Sequence, residues 1–525
     1  MRKLRIGIID VLGKTTSRTL YARAVRANRM SIMPQAVAVW CEEEGHDVFF
    51  GFYNGYENMI EELPENLDLV FMGAFTHSAQ LVYALSNRFR SQGTVTVLGG
   101  PHARGFPEDA QKYFDYVLGF TVKALIRDIV QDCAPHRPLG VYLAATQQPL
   151  ELPGVRARWK YIEAGLNKAF LFKSVPMIGS LGCPYTCSFC IDALVPYQPL
   201  DFDEMKKDLR FLLTKFKKPM VGWHDPNFGV RFNDYLGMIE EAVRPGSIDF
   251  LAESTLSLLS EKNVQRLKKN GFKAILPGIE SWYEMGYKAK ARNTKGMAKV
   301  EQVAEQVNMI LSYLPYLQAN FVLGLDCDSG AEPWALTKRF LDLAPGSFPA
   351  LSMLTAFGRS APLNLEYQRE DRVIAFPFHF INCNGVMNVR PKHYDWPTFY
   401  DYVIDLNEHA YGPSGMRKRW RANRGFVPRV FNVMRSVSSM TYPNAKGWGE
   451  TRYYREIRRR LDEDLPFRRF FEQETTEIPS FFINIMKRDL GPLWHWLPEG
   501  ALHHDPYIYL KTEGLVEPSL SVAMV

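Results

Sequence analysis

Three thiols stand close together in "GSLGCPYTCSFCID", residues 179–192: Cys183, Cys187 and Cys190, with the spacing C-x3-C-x2-C. Thiolates at such spacing hold zinc or an iron–sulfur cluster. A structural zinc site normally closes with a fourth Cys or His and tends to use paired C-x2-C knuckles. Here the next histidine after the loop is His224, a whole strand–helix unit away. An iron–sulfur cluster normally takes four thiolates, and three on a cubane of four irons leave one iron without a protein ligand. An open position on a metal centre is where substrate or cofactor binds. The missing fourth ligand is therefore the functional feature, with zinc or three incidental thiols as the alternative. Cys41, Cys133, Cys327 and Cys383 stand singly and read as small buried apolar residues.

The elements around the loop alternate. "LRIGII" (4–9), "DVFFGF" (47–52), "LDLVFMGA" (67–74), "TVTVLGG" (94–100) and "FDYVLG" (114–119) read as strands. Helical stretches between them end on Gly45 and Gly93. This rhythm predicts an α/β, doubly wound, Rossmann-like domain over residues 1–140. Residues 141–172, with "QQPLELPG", read as a linker. Six further strands, from "PMIGSLG" (176–182) to "LSMLTAF" (351–357), predict a partial (β/α)6 barrel over 173–395. Its chemistry belongs at the C-terminal strand ends, where the cysteine loop follows the first strand. Residues 396–525, rich in Arg and aromatics, read as a helical C-terminal domain.

The whole chain bounds the function. At 525 residues it exceeds one ordinary core. A net charge of +6 is small for that length and does not support a nucleic-acid-binding body, though it leaves room for local basic patches. No apolar run reaches the roughly 18 residues of a membrane span. "MRKLRIGIID" reads as a first strand, because its apolar stretch is short and ends at Asp10. Seven unevenly placed cysteines argue for a reducing cytoplasm. "GKTT" (13–16) misses the phosphate-loop spacing by one residue, since Gly7 to Gly13 leaves five residues where four are needed. The basic clusters "RKRWRANR" (417–424) and "REIRRR" (455–460) read as solvated helix faces, or as a patch for an anionic substrate or a membrane surface.

At the cysteine loop the chain resembles the radical S-adenosylmethionine enzymes, whose signature is C-x3-C-x-aromatic-C after the first strand of a partial barrel; Phe189 is the aromatic. The resemblance implies a [4Fe–4S] cluster on Cys183, Cys187 and Cys190 whose open iron chelates S-adenosylmethionine. Its reductive cleavage would give a radical able to take hydrogen from unactivated C–H bonds. A one-electron donor such as flavodoxin or ferredoxin is implied as partner. "WHDPNF" (223–228) stands where the family has an acidic turn facing the cofactor's methionine end, with Asp225 and Asn227 matching and His224 in one Asp position. Glu253 ends the third barrel strand, and Glu280 and Ser281 match the family's Gly-Ile-Glu-Ser turn near the ribose. After the fifth strand, "DCDSG" departs from the family pattern.

The first domain resembles the cobalamin-binding domains of a large subclass of these enzymes. The resemblance rests on "VWCEEEGHDV", "DLVFMGAFTHSAQ" and "VTVLGGPHARGFPEDA". It implies cobalamin held near Thr76, Gly99 and Gly100, at strand ends. There is no Asp-x-His-x-x-Gly loop to place an imidazole below the cobalt, and "FTVKAL" replaces the usual Gly-Glu-x-Glu. "FPFHFINCNGVMNVRP" (376–391) resembles the stretch after the barrel in lipid- and tetrapyrrole-modifying members. The implied activity is methylation of an unactivated carbon of a small molecule or lipid. The alternatives are radical cyclisation or rearrangement without methyl transfer, or a non-catalytic electron carrier or sensor. The sequence names no catalytic residue on the substrate side.

Overall fold

Strand β1 (Arg5–Val11) is buried along all but its first residue, as a strand must be when parallel neighbours flank it and helices cover both faces. The computed structural model describes residues 2–13, 30–53, 63–134, 139–168, 172–284, 294–441 and 450–512; "GKTT" beyond Gly13 lies outside them. The first sheet is wholly parallel, in the order β2 (Asp47–Tyr53), β1, β3 (Leu69–Ala74), β4 (Val95–Gly99), β5 (Tyr116–Leu118), β6 (Val141–Leu143). Helices α1 (Ile32–Glu43) and α2 (Ala79–Ser91) cover it. Two short helices, α3 (Pro101–Gly105) and α4 (Pro107–Ala110), follow β4, and α5 (Lys123–Gln131) follows β5. The strand order reverses between β1 and β3, which is where open parallel sheets bind ligands.

The stretch expected as a linker from 141 onward begins with β6, which extends this sheet, and contains α6 (Trp159–Lys168). Strand β6 is short and mostly exposed, so it carries no buried apolar run to mark it.

The second sheet is also parallel and runs in simple sequential order: β7 (Val175–Met177), β8 (Met220–Trp223), β9 (Asp249–Thr255), β10 (Phe272–Glu280), β11 (Tyr316–Leu323), β12 (Phe348–Met353). These are the six expected barrel strands. Along β10 and β11 buried and half-buried residues alternate. One face is sealed by helices such as α10 (Gly296–Tyr313), whereas the other borders open space inside the partial barrel. Helices α7 (Phe202–Lys215), α8 (Phe232–Ala242), α9 (Glu261–Lys269) and α11 (Glu332–Leu343) complete the outer layer. Asp201 caps α7, accepting from Asp203 N–H, and Ser260 caps α9.

After the barrel come α12 (Pro362–Arg369) and then helices only, from α13 (Trp396–Tyr411) through α14 (Pro413–Ala422), α15 (Phe426–Thr441), α16 (Glu450–Glu463), α17 (Leu465–Phe471) and α18 (Ser480–Leu490) to α19 (Ile508–Thr512). Segment 376–391 is pinned beneath them. Phe376 packs edge-on against Phe470, Phe471 and Phe482, and buried His379 meets Asp489 at 2.9 Å. The two sheets are held together where backbone meets backbone. A Cβ on Gly105 would come within 2.8 Å of Phe357 O, and one on Gly358 within 2.0 Å of Gly105 O. No helix among the described residues is long and apolar enough to cross a membrane.

Candidate cluster loop and inter-sheet cavity

The cysteine loop leaves the C-terminal end of β7 and folds back on itself. Gly182 takes φ +65°, and a Cβ there would lie 2.2 Å from Pro196 O and 2.4 Å from Val195 O, so only glycine allows the closure. Backbone bonds from Cys183 N–H to Val195 O (3.3 Å) and from Cys190 N–H to Cys187 O (2.8 Å) fix the three thiols in one small loop. Asp192 N–H points at Cys190 Sγ (3.4 Å), the kind of contact that steadies a thiolate ligand. Cys187 is buried; Cys183 and Cys190 are half-buried. Among the described residues no group of three or more His, Cys, Asp or Glu side chains could hold a single metal ion. A soft three-thiol donor set in one tight loop suits a cluster carried from one side. Phe189 packs half-buried against the main core.

The loop is clamped from three directions. Leu363 N–H at the start of α12 donates to Ser188 O (2.9 Å), and Tyr185 meets Ser257 just beyond β9 (3.2 Å). From the first domain, Arg104 donates to Ile191 O (3.2 Å) and faces Asp192 at 3.8 Å. Burial lowers the Arg104 guanidinium's pKa, and Asp192 opposes that shift.

The C-terminal strand ends of the first sheet and the inner face of the barrel border one cavity of about 1230 Å³, which runs from Ile178 and His224 beyond the ends of β7 and β8 to Asp249, Lys273 and Tyr316 at the starts of β9, β10 and β11. An ordinary small-molecule pocket holds about 300–1000 Å³, so there is room here for more than one ligand. From the first sheet its wall includes Gly73, Gly99, Gly100 and Gly119, with Phe75 and His77 beside them. Gly99 has nothing within 4 Å of where a Cβ would stand, leaving its backbone open to a flat ligand. Gly100 (φ +95°) is pressed against β3, its Cβ position 2.9 Å from Ala74 O. Thr76 itself is buried; its neighbours on both sides form the wall instead. No Asp-x-His-x-x-Gly signature announced His77, but the turn after β3 carries it to the crevice where the strand order reverses. Ser78 spans that crevice, its hydroxyl donating to Gly13 O at 3.3 Å.

From the barrel the wall includes Ile178, His224, Glu253, Leu276 and Gln318. His224 and Glu253 are exposed to the cavity yet enclosed by its walls. Burial pushes His224 down to about 4, so its imidazole is neutral. Burial also raises the Glu253 carboxyl, with Glu280 and Asp192 adding to the shift. Asp225, next to His224, points the other way. It is buried and accepts from Gly179 N–H (2.9 Å), Ser180 Oγ (2.7 Å) and Tyr235 OH (2.7 Å). Its carboxylate therefore positions the strand that leads into the cysteine loop. Asn227 is buried with neither side-chain polar atom hydrogen-bonded, an orphaned amide beside the site.

Glu280 ends β10 in the left-handed region, φ 64°, where the pairing with β11 slips between Gly278 and Glu280. With Ser281 and Asp328 it lines a small separate cleft. Ser281 Oγ donates to Asp328 Oδ1 (3.1 Å), and buried Lys299 donates to the carbonyls of Ser281 and Glu284. Burial raises Asp328 to about 6 and lowers Lys299 to about 8. The structure thus brings Glu253, Gly99 and Gly100 to one cavity, keeps the three cysteines in their own loop beyond β7, sets Glu280 and Ser281 in a separate cleft, and keeps Asp225 and Thr76 behind the walls.

No family model matches the chain. Among curated proteins it is similar to the bacteriochlorophyllide d C-12(1)-methyltransferase of Chlorobaculum tepidum, at 22% identity over 69% of this chain and 79% of that protein. It is also similar to the hopanoid C-2 methylase of Rhodopseudomonas palustris, at 25% identity over 67% of this chain and 66% of that one. Among solved structures it superposes on the radical S-adenosylmethionine methyltransferase TsrM of Kitasatospora setae, with a TM-score of 0.54 and 12% identity over 88% of this chain and 99% of that one. On the cobalamin-dependent S-adenosylmethionine radical enzyme OxsB the TM-score is 0.55, with 12% identity over 99% of this chain and 82% of that one. The resemblance read from the cysteine loop and the first domain thus extends over both sheets, and the chain has the fold of the cobalamin-dependent radical S-adenosylmethionine enzymes.

Proposed function

We propose that this chain is a cobalamin-dependent radical S-adenosylmethionine methyltransferase acting on an unactivated carbon of an apolar small molecule or lipid. The observation that carries this reading is the shared cavity. It joins the glycine-lined edge of one parallel sheet to the interior of a partial barrel whose first strand leads into the thiol loop. The printed activities of the curated relatives, methylation of a bacteriochlorophyllide and of a hopanoid, support the reaction class.

When bound, a cluster on Cys183, Cys187 and Cys190 supplies an electron to S-adenosylmethionine, and cobalamin supplies the methyl group. The residues of the chain do the rest. Gly99 and Gly100 let backbone approach a flat macrocycle, and Gly73 keeps the neighbouring strand end clear. Asn227 offers an unpaired amide to the methionine end of S-adenosylmethionine, and Glu280 and Ser281 offer acceptors to its ribose. Glu253 and neutral His224 face the space between the two ligands, where the substrate sits. The largely apolar wall excludes water from a reactive carbon centre. Flavodoxin or ferredoxin would serve as electron donor.

The test is anaerobic reconstitution followed by turnover with candidate apolar substrates. Methyl transfer is expected to yield S-adenosylhomocysteine and 5′-deoxyadenosine in matching amounts. With a true substrate, 5′-deoxyadenosine unaccompanied by S-adenosylhomocysteine would overturn methylation in favour of cyclisation or rearrangement.

A further inference from the structure

The two basic clusters of the C-terminal helices differ once folded. On α16, Arg458 pairs with Asp401 (2.8 Å), Arg459 with Glu456 (2.6 Å), Arg460 with Asp464 (3.1 Å), and Arg455 with Glu408. That is an ion-paired solvated face. On the α14–α15 hairpin, Arg417, Arg421 and Arg424 are exposed, and no ion pair of theirs is recorded among the described residues. Beside them Trp420 is 39% exposed, with the Arg429 guanidinium 5.6 Å from its ring centroid.

Helix α15 adds an apolar stripe. Phe426, Val427, Val430, Met434 and Val437 recur at helical spacing, opposite buried Asn432 and Ser436. Phe426 is 74% exposed and Val427 76%. Side chains this apolar and this open, at the start of a helix, call for a covering partner. The same helix turns Val427, Pro428, Phe431 and Arg435 to the inter-sheet cavity, so the stripe lies at its mouth. A helix with an apolar face, aromatic residues and flanking arginines is built to lie in a membrane interface. A second copy of the chain docked here by a two-fold axis would set the arginine cluster against its own image, which disfavours self-association.

We propose that the α14–α15 hairpin docks on an anionic lipid surface. Phe426 and Val427 enter the acyl boundary, while Arg417, Arg421 and Arg424 engage the headgroups. The cavity mouth then faces the bilayer, and an apolar substrate passes between the two without crossing water. The docking does not depend on the reaction proposed above, whereas the delivery of substrate does.

The test uses the full chain with no cofactor or substrate added, so its result is independent of the chemistry. Cosedimentation with phosphatidylglycerol-containing vesicles is expected to exceed that with pure phosphatidylcholine by about tenfold and to fall at high salt. Phe426→Ser with Val427→Ser, and separately Arg417→Glu with Arg421→Glu and Arg424→Glu, should each lower it by about tenfold. Neither set should change the melting temperature, because every altered side chain is exposed. Equal partition on both vesicle types, or none on either, would overturn the proposal. So would a wild-type dimer in sedimentation velocity that the Phe426/Val427 variant splits, since the face would then belong to a second copy.

Discussion

Both six-stranded parallel sheets border the same cavity, the first at its C-terminal strand ends and the second along its inner face, but they bring different things to it. The first sheet presents mostly backbone and small residues: Gly73, Gly99, Gly100 and Gly119. Of its domain's titratable groups, His77 and Arg104 reach the wall and others stand back. His102 is buried behind the edge, bonded to Tyr83 OH at 2.6 Å, and Tyr83 in turn donates to Asp109 at 2.7 Å. The second sheet presents side-chain chemistry, with a neutral imidazole and an enclosed carboxyl at the wall and a thiol loop beyond its first strand. A sheet edge of mostly small residues can hold a large planar ligand through shape. An edge with shifted titratable groups selects and orients a reacting one. The division of labour is visible in which atoms reach the cavity.

The sharpest way to break this comparison is to remove the thiols. Replacing Cys183, Cys187 and Cys190 by Ala should abolish bound iron, sulfide and visible absorption after anaerobic reconstitution, whereas Ala at Cys327 and Cys383 should leave all three. On the other edge, Gly99→Leu should cut corrinoid retention about tenfold or more and leave iron content unchanged, since its side chain enters open space. If both losses came together, the two edges would not be separate in function. Asp225→Ala strips three donors of a buried acceptor. It should cost about 3 kcal/mol in denaturant unfolding and weaken cluster retention through the displaced strand.

A milder test concerns pH. Burial, then His504, hold His102 at about 3 in the folded state, below the roughly 6.5 of an unfolded histidine. The unfolded chain therefore binds the extra proton first, and stability is lost as pH falls from about 6.5 toward 3. Between pH 7.5 and 5, His102→Asn should lose less stability than wild type by about 2 kcal/mol, read from melting curves. The smallest effect is expected at Glu280→Gln, which should lower 5′-deoxyadenosine formation a few-fold, about threefold for one weakened hydrogen bond. S-adenosylhomocysteine formation should be less affected.

The barrel strands were legible because each carries a run of apolar residues bounded by helix-patterned segments; all six appear within a few residues of their expected places. Strand β6 was not, because a three-residue edge strand has no buried run to read. Asp225 shows a different limit. An acid at a strand end reads as a ligand, yet successive side chains in extended backbone point to opposite sides. The structure gives the cavity to His224 and turns Asp225 to Tyr235. Arg104 was invisible as a site residue because its partners, Ile191 and Asp192, lie in the other domain. The two arginine clusters read alike since the acids that neutralise one of them include Asp401 and Glu408, on another helix.

The contact between Gly105 and Gly358 has a mechanical consequence. Each residue leaves no room for a methyl group against the other's neighbourhood, so the pair acts as a spacer of minimal thickness between the two halves. Any side chain added there becomes a wedge. Because Gly105 ends the short helix that begins just after Gly100, a wedge at this joint would lever the glycine edge away from the cysteine loop. The spacing between the glycine edge and the cysteine loop is thus gauged by two hydrogen atoms. An effort to admit a bulkier substrate would find its adjusting screw at Gly358, outside the cavity wall.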